Sequence, residues 1–233
     1  MTTSFVTAVA TRTGTHGTNA DAAHTWTAAD GAIGAAVIDG IGHSDPLHDL
    51  VPVLAVAAAR TSATDGALSG LLTASLLVRD PGAVPVTPRV DAVAVTARAR
   101  PGAPTWICWA GDARAYGWDG TTLTRYTTDD NVATYLATHG IPDEIAEQFA
   151  NRINIALVDA SPATVHHVSI PAGHLVLLTS DGIHDQIAHS HMRHLVTKYA
   201  GAPETLAESL VAVAQPDPDG YRDDATAVVI APA

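Results

Sequence analysis

The chain has 233 residues, 47% of them hydrophobic, and a single cysteine, Cys108; this is enough for a substantial core and excludes a disulfide framework. A formal net charge of −12 gives a surface that repels nucleic acid and anionic membrane, so neither is an expected partner. No apolar run reaches the ~18 residues that span a bilayer. The start, MTTSFVTAVATRTG, lacks the basic residues and long apolar stretch of a signal peptide. A cytoplasmic monomer is expected, built as one domain over 1–233 because no Pro/Ser/Gly-rich linker divides it.

Taken in order, SFVTAVA (4–10) reads as a strand. GAIGAAVIDG (31–40) is an apolar, β-branched run that stops at Asp39-Gly40. Residues 47–63 and 67–78, rich in Ala and Leu, read as two helices separated by Asp65-Gly66. VDAVAVTARA (90–99) alternates as a half-buried strand does. Residues 105–126 read as consecutive short strands, with Asp119-Gly120 as a hairpin turn. Residues 129–149 read as helical with a break at Gly140-Ile141-Pro142. VHHVSI and HLVLLTS read as strands joined through Pro-Ala-Gly, residues 185–214 as mostly helical, and DATAVVI (224–230) as a last strand. Strands and helices come in groups rather than in strict alternation. That order predicts an α+β fold with largely antiparallel sheets, and two sheets with helices stacked outside accommodate the count.

Six Asp-Gly pairs occur, and most are expected to be plain turns. Two differ. Asp39 ends the run AAVI, and Asp181 follows LVLLTS, so each places an acid at the end of a buried strand. A third acid, Asp223, precedes the apolar run ATAVVI. A strand core is an unfavourable place for a charge unless it is paired or binds a metal. Three such acids from distant parts of the chain can converge, and oxygen-only ligands suit hard cations such as Mg²⁺ and Mn²⁺.

At these residues the sequence resembles the PPM (PP2C-like) metal-dependent protein serine/threonine phosphatases of the bacterial type. AAVIDGIGHS resembles an apolar strand followed by D-G-x-G-G-H. WAGDARAYGWDGTTLTRYT resembles G-D-S-R-x-Y…G…L-T, and NRINIALVDA resembles R-N-x-I-x-x-A-L-G. LVLLTSDGIHDQI resembles L-L-x-S-D-G-L-x-D, and RDDATAVVI resembles R-D-N-x-T-x-V-V-V. The blocks follow the family order over residues 14–230. The resemblance implies a four-layer αββα sandwich and a metal centre at one end of it. Asp39 would bridge two Mn²⁺ or Mg²⁺ ions, and the Gly40 carbonyl would serve the second. Asp181 and Asp223 would complete the first, and Asp112 would help with a weak third. A water between the metals would attack the phosphorus of phosphoserine or phosphothreonine in a phosphoprotein substrate, a signalling role. For Asp112 the plain alternative is a capped turn.

The N-terminal block departs from the pattern. Against R-x-x-N-E-D, Asn19 and Asp21 match, but the arginine position holds His16 and the glutamate position holds Ala20. The glutamate serves the second metal, so one well-held ion and one weak one are expected. The arginine grips phosphate with a planar charged fork, which a histidine only partly replaces. Arg12, four residues upstream, is the candidate substitute. Asp21, His43 and Asp224 are expected to stand behind the ligands, Asp224 replacing the usual asparagine. Asp185 reads either as a family acid or as a helix N-cap. His184, His189, His191 and His194 read as surface histidines, a zinc site being the alternative, Cys108 as an inert core thiol, and Trp106, Trp109 and Trp118 as core or strand-face packing. The alternative to an active phosphatase is a binding or regulatory module with weakened catalysis; a third reading is a phosphatase of small phosphoesters.

Overall fold

The computed structural model describes residues 4–15, 17–79, 90–216 and 218–233. Its strands are β1 (Phe5–Arg12), β2 (Asp21–Thr27), β3 (Ile33–Gly40), β4 (Ala92–Ala99), β5 (Thr105–Ala110), β6 (Arg114–Trp118), β7 (Leu123–Arg125), β8 (His166–Ile170), β9 (Leu175–Thr179) and β10 (Ala225–Pro232). Its α-helices are α1 (Asp45–Asp65), α2 (Ala67–Arg79), α3 (Val132–Thr138), α4 (Asp143–Ala146), α5 (Asp181–His184), α6 (His189–Tyr199) and α7 (Pro203–Val213). The strands make two five-stranded antiparallel sheets, ordered β1-β10-β9-β6-β7 and β2-β3-β4-β5-β8.

Three apolar layers hold four structural layers together. Between the sheets, Val37, Val95 and Ile107 meet Leu178, Val228 and Ile230. Outside one sheet, Leu47, Val51 and Leu54 of α1 and Leu71 of α2 cover Ala36, Ile38 and Ala94. Outside the other, Met192, Val196, Leu206 and Leu210 of α6 and α7 cover Leu177, Ala227 and Val229. The result is the expected αββα sandwich. Because each sheet is covered on both faces, its central strands read as continuous apolar runs; β4 is buried over its first six residues rather than on alternate ones. Small residues set the spacing: a Cβ on Gly34 would come within 2.0 Å of the Ala59 carbonyl oxygen, so α1 lies directly on β3.

Several elements differ from the sequence reading. β2 was not foreseen, because DAAHTWT has no apolar alternation strong enough to mark it. VHHVSI and HLVLLTS do form strands, but β8 pairs with β5 in one sheet and β9 with β10 and β6 in the other. The Pro-Ala-Gly turn therefore carries the chain from sheet to sheet rather than closing a hairpin. Trp106 is 53% exposed on a face of β5, within the expected core or strand-face packing, whereas Trp109 and Trp118 are buried.

Candidate active site

The acids meet where the two sheets end together. Asp39 is the penultimate residue of β3. Asp181 opens α5 directly after β9, with Ser180 as the residue before the helix, and Asp223 lies two residues before β10. Backbone contact draws the last two together: a Cβ on Gly182 would lie 1.9 Å from the Asp224 carbonyl oxygen, so only glycine lets α5 start against this segment. Ser180 ties the sheets across the site. Its hydroxyl donates to Asp21 Oδ2 at 2.7 Å and accepts from the Thr226 amide at 3.0 Å. Asp21 in turn pairs with Asp39 in the β2–β3 register.

A cavity of about 690 Å³ opens over this junction. Asp39, Gly40, His43, Asp112, Asp181 and Asp223 all line it, with Arg114, Asp129, Asn151, His184 and Tyr221 completing the wall. The carboxylates crowd one another. Burial, then the charges of Asp181, Asp21, Asp112 and Asp223, push the Asp39 carboxyl well above its usual range. Burial and the neighbouring Asp223, Asp112 and Asp185 push Asp181 up to about 7, partly offset by a hydrogen bond with Asp39. Burial raises Asp112 to about 6, with Asp129 and Asp185 adding to it. Tyr221 hydrogen-bonds Asp223, and burial with that bond holds its phenol above the ordinary value.

Among the described residues, no three His, Cys, Asp or Glu side chains are drawn into a ready-made ligand set. Asp39 and Asp181 meet directly, whereas Asp223 and Asp112 act on them through charge. The donor chemistry nevertheless fits a divalent hard cation: the acids supply oxygen only, and they face one another across a cavity with an excess of negative charge. Arg114 is the only arginine or lysine among the described lining residues, and it is already engaged. It grips Asp129 through two bonds, Nε–Oδ1 at 2.9 Å and Nη2–Oδ2 at 2.7 Å, and lies 3.6 Å from Asp185. Arg125 also bonds Asp129. Burial alone would lower the Arg114 guanidinium's proton affinity; the bonds and charge of Asp129 outweigh it and raise it.

The remaining expectations fall out as follows. His16 lies outside the described residues. Arg12 is a correction: its Nη1 donates to the carbonyls of Val211, Ala212 and Ala214, capping the end of α7 instead of reaching the cavity. Asp224 is buried, and its two oxygens accept from the Gly14 and Ala20 amides at 2.6 Å each, so they are committed to these two amides rather than to a metal. Asp21 is buried behind Asp39 and outside the cavity lining. Asp185 ends α5 instead of starting a helix and faces Arg114. Ala20 is 2% exposed and its methyl belongs to the core beneath α1 with Ile38 and Leu47. His184 is buried, not a surface histidine. Its Nδ1 lies 2.9 Å from Thr179 Oγ1, and burial, aided by Arg114 and Arg125, keeps its ring neutral. Cys108 is buried, and burial pushes its thiol up to about 11. Sequence reasoning missed the Arg114–Asp129–Arg125 cluster. The GDAR motif flagged Arg114 only as a matching letter, and its partner lies fifteen residues away.

Neither a protein-family model nor the sequence of a curated protein matches the chain. Solved structures do match. A serine/threonine phosphatase of S. agalactiae superposes with a TM-score of 0.81 at 15% identity, over 98% of this chain and 100% of that one. The PPM Ser-Thr phosphatase MsPP of Mycobacterium smegmatis, solved in complex with cacodylate, gives 0.71 at 23% identity over 98% of both chains. The catalytic domain of the serine threonine protein phosphatase PstP, solved with 2 manganese ions, gives 0.69 at 20% identity over 97% of both chains. The chain therefore has the fold of the bacterial PPM-type phosphatases along nearly its whole length.

Proposed function

We propose that the protein is a divalent-metal-dependent phosphatase that hydrolyses phosphoserine and phosphothreonine in protein substrates. The observation that carries this reading is the convergence of Asp39, Asp181 and Asp223, from β3, α5 and the lead into β10, on one cavity whose one described arginine, Arg114, is already engaged by Asp129. The fold shared with phosphatases such as MsPP and PstP supports it. Asp39, Asp181 and Asp223, with Asp112 and the Gly40 backbone beside them, would hold the metal. When bound, Mn²⁺ or Mg²⁺ supplies positive charge for the phosphoryl oxygens and acidifies the attacking water.

The chain's own residues set the stage for that chemistry. Ser180 and Asp21 lock the two sheet ends in register, so that Asp39 and Asp181 stay opposed. Tyr221 holds Asp223. Arg114 presents the cavity's fixed cation, with Asp129 fixing the plane of its guanidinium so that its remaining donors point in a set direction. His184, held neutral, adds no competing charge.

A second reading has a specific observation behind it. The Ala20 methyl is packed in the core, so the position that carries a glutamate in the resembled pattern contributes no ligand atom. Weakened catalysis, with one ion bound well and a second poorly, follows from that. Calorimetric titration with Mn²⁺ together with phosphate release from a phosphothreonine peptide separates the two: a single tight site with slow turnover favours the weakened enzyme. Release that does not depend on Mn²⁺ or Mg²⁺, or that survives Asp39→Asn, overturns both.

A further inference from the structure

Behind the cavity wall lies a second cavity, of about 350 Å³, that the catalytic reading does not use. The wall is a two-stranded ribbon. The Val132 amide donates to the Arg152 carbonyl at 2.7 Å, the Asn154 amide to the Asp130 carbonyl at 3.0 Å, and Asn131 bridges Ile153. Successive side chains of an extended ribbon point to opposite faces. Asn131 and Ile153 accordingly line the catalytic cavity, Thr128, Asp130 and Asn154 line the second, and Asp129 borders both.

Asp130 sets the chemistry of this second cavity. It is 7% exposed. Its Oδ1 accepts from Asn154 Nδ2 at 2.8 Å. Its Oδ2 has no hydrogen bond and lies 3.3 Å from Nε2 of His166, a half-exposed ring stacked on Trp109. Tyr135, half exposed, and Ile155 supply apolar surface around it. A carboxylate withdrawn from water, one oxygen of which has no hydrogen bond and only a half-exposed imidazole nearby, is costly to leave so. A ligand with a positive head and an apolar stem answers both halves of the lining.

We propose that this cavity receives a basic side chain, lysine or arginine, of the phosphoprotein substrate. The charged head meets Asp130 Oδ2 as the exposed His166 ring swings aside, and the stem lies along Tyr135 and Ile155. The assignment to a substrate rests on the phosphatase reading; the binding chemistry does not. The two linings share Asp129, so the cavities adjoin, and a peptide with its phosphorylated residue in the first can bring a residue a few positions away to the second.

The binding chemistry is tested without turnover. Nα-acetyl-arginine amide and Nα-acetyl-lysine amide are titrated separately into the ¹⁵N-labelled full chain in EDTA. Saturable amide shifts at Thr128, Tyr135 and Thr164 are expected, with affinity falling about fivefold or more in Asp130→Asn. Absence of saturable shifts, or shifts that Asp130→Asn leaves unchanged, overturns the proposal. The substrate assignment is tested with phosphothreonine peptides carrying one arginine or one lysine, walked through positions −4 to +4 of a neutral sequence. KM is expected to fall about five- to tenfold at one or two adjacent placements with kcat unchanged. Asp130→Asn and Tyr135→Ser should each erase that gain while keeping the KM of the peptide without a basic residue. A flat KM profile beside positive titrations overturns the substrate assignment and marks a free basic ligand instead. If no peptide is hydrolysed, the phosphatase reading falls and the substrate assignment with it, while the titration still decides what the cavity binds.

Discussion

On one side of the cavity Asp129 is held by two arginines, Arg114 and Arg125; on the other, Asp39 and Asp181 face each other and two further acids, and no described arginine or lysine forms an ion pair with Asp39 or Asp181. Both groups are withdrawn from water, and both are built from aspartates. The first is a finished structure: its charges are matched, its hydrogen bonds are made, and it fixes the ribbon to β6. The second is unfinished, since its members raise one another's proton affinity and only a cation relieves them. The contrast separates acids that hold the fold from acids that wait for a ligand, a distinction residue type alone cannot make.

The sharpest way to break the contrast is Asp39→Asn. It should lower Mn²⁺-dependent turnover on a phosphothreonine peptide by roughly 10³-fold, since a lost ligand charge removes several kcal/mol of transition-state stabilisation. The same variant without metal should unfold a few degrees higher than the wild type in a thermal melt, because it removes a source of repulsion. Ala20→Glu should destabilise the fold by about 3 kcal/mol in urea, because it drives a carboxylate into the layer beneath α1. If that variant instead tightens Mn²⁺ binding with no loss of stability, the placement of Ala20 in the core is wrong.

Arg114→Ala should cost about 2–3 kcal/mol, the toll of leaving a withdrawn carboxylate with one of its two partners. Its readout is urea unfolding at constant pH. Asp129→Asn in the same background should recover part of the loss.

The pH dependence of the metal-free protein comes next. Asp181 and Asp112 have folded-state values of about 7 and about 6, above the unfolded ~3.9, so the folded chain binds more protons than the unfolded one. Their contribution to stability is therefore greatest below pH ~4 and is lost as pH rises through ~6–7. In EDTA the melting temperature should fall from pH 5 to pH 7.5, whereas the increase on adding Mn²⁺ should grow over that interval. A Mn²⁺ effect that shrinks with rising pH would remove the carboxylates from the metal site. Arg12→Ala should have the smallest effect, about 1 kcal/mol from the lost cap on α7, with KM unchanged. A raised KM would return Arg12 to the phosphate.

Much of this was legible beforehand. The runs before Asp39 and Asp181 and after Asp223 announced buried strands, and an acid abutting a buried strand is improbable unless it has work to do. The two long helices were visible from Ala and Leu content and the Asp65-Gly66 break. Asp112 and His43 were placed in the site by their loops. The functions of Arg12, Asp224 and Asp185 were not readable, because each depends on what lies opposite: α7 carbonyls, the amides of Gly14 and Ala20, and the Arg114 guanidinium. Asp129 and Asp130 look alike in sequence. Strand alternation turns Asp129 toward Arg114 and Arg125, and Asp130 toward the second cavity and His166.

The sequence by itself determined the α+β class and the three acids beside apolar strands, because hydrophobic runs, turn residues and charges beside them act locally along the chain; the four-layer αββα order was implied by the resemblance to the PPM phosphatases. Only the tertiary structure decided how those acids are partnered. Which sheet β8 and β9 join, which carboxylates meet a guanidinium and which meet one another, and which face of the ribbon Asp130 occupies are all set by packing between residues far apart in the chain. Charge interactions at ordinary ionic strength are screened beyond roughly 10 Å. Their sign at any aspartate is therefore fixed by neighbours that the linear order does not reveal.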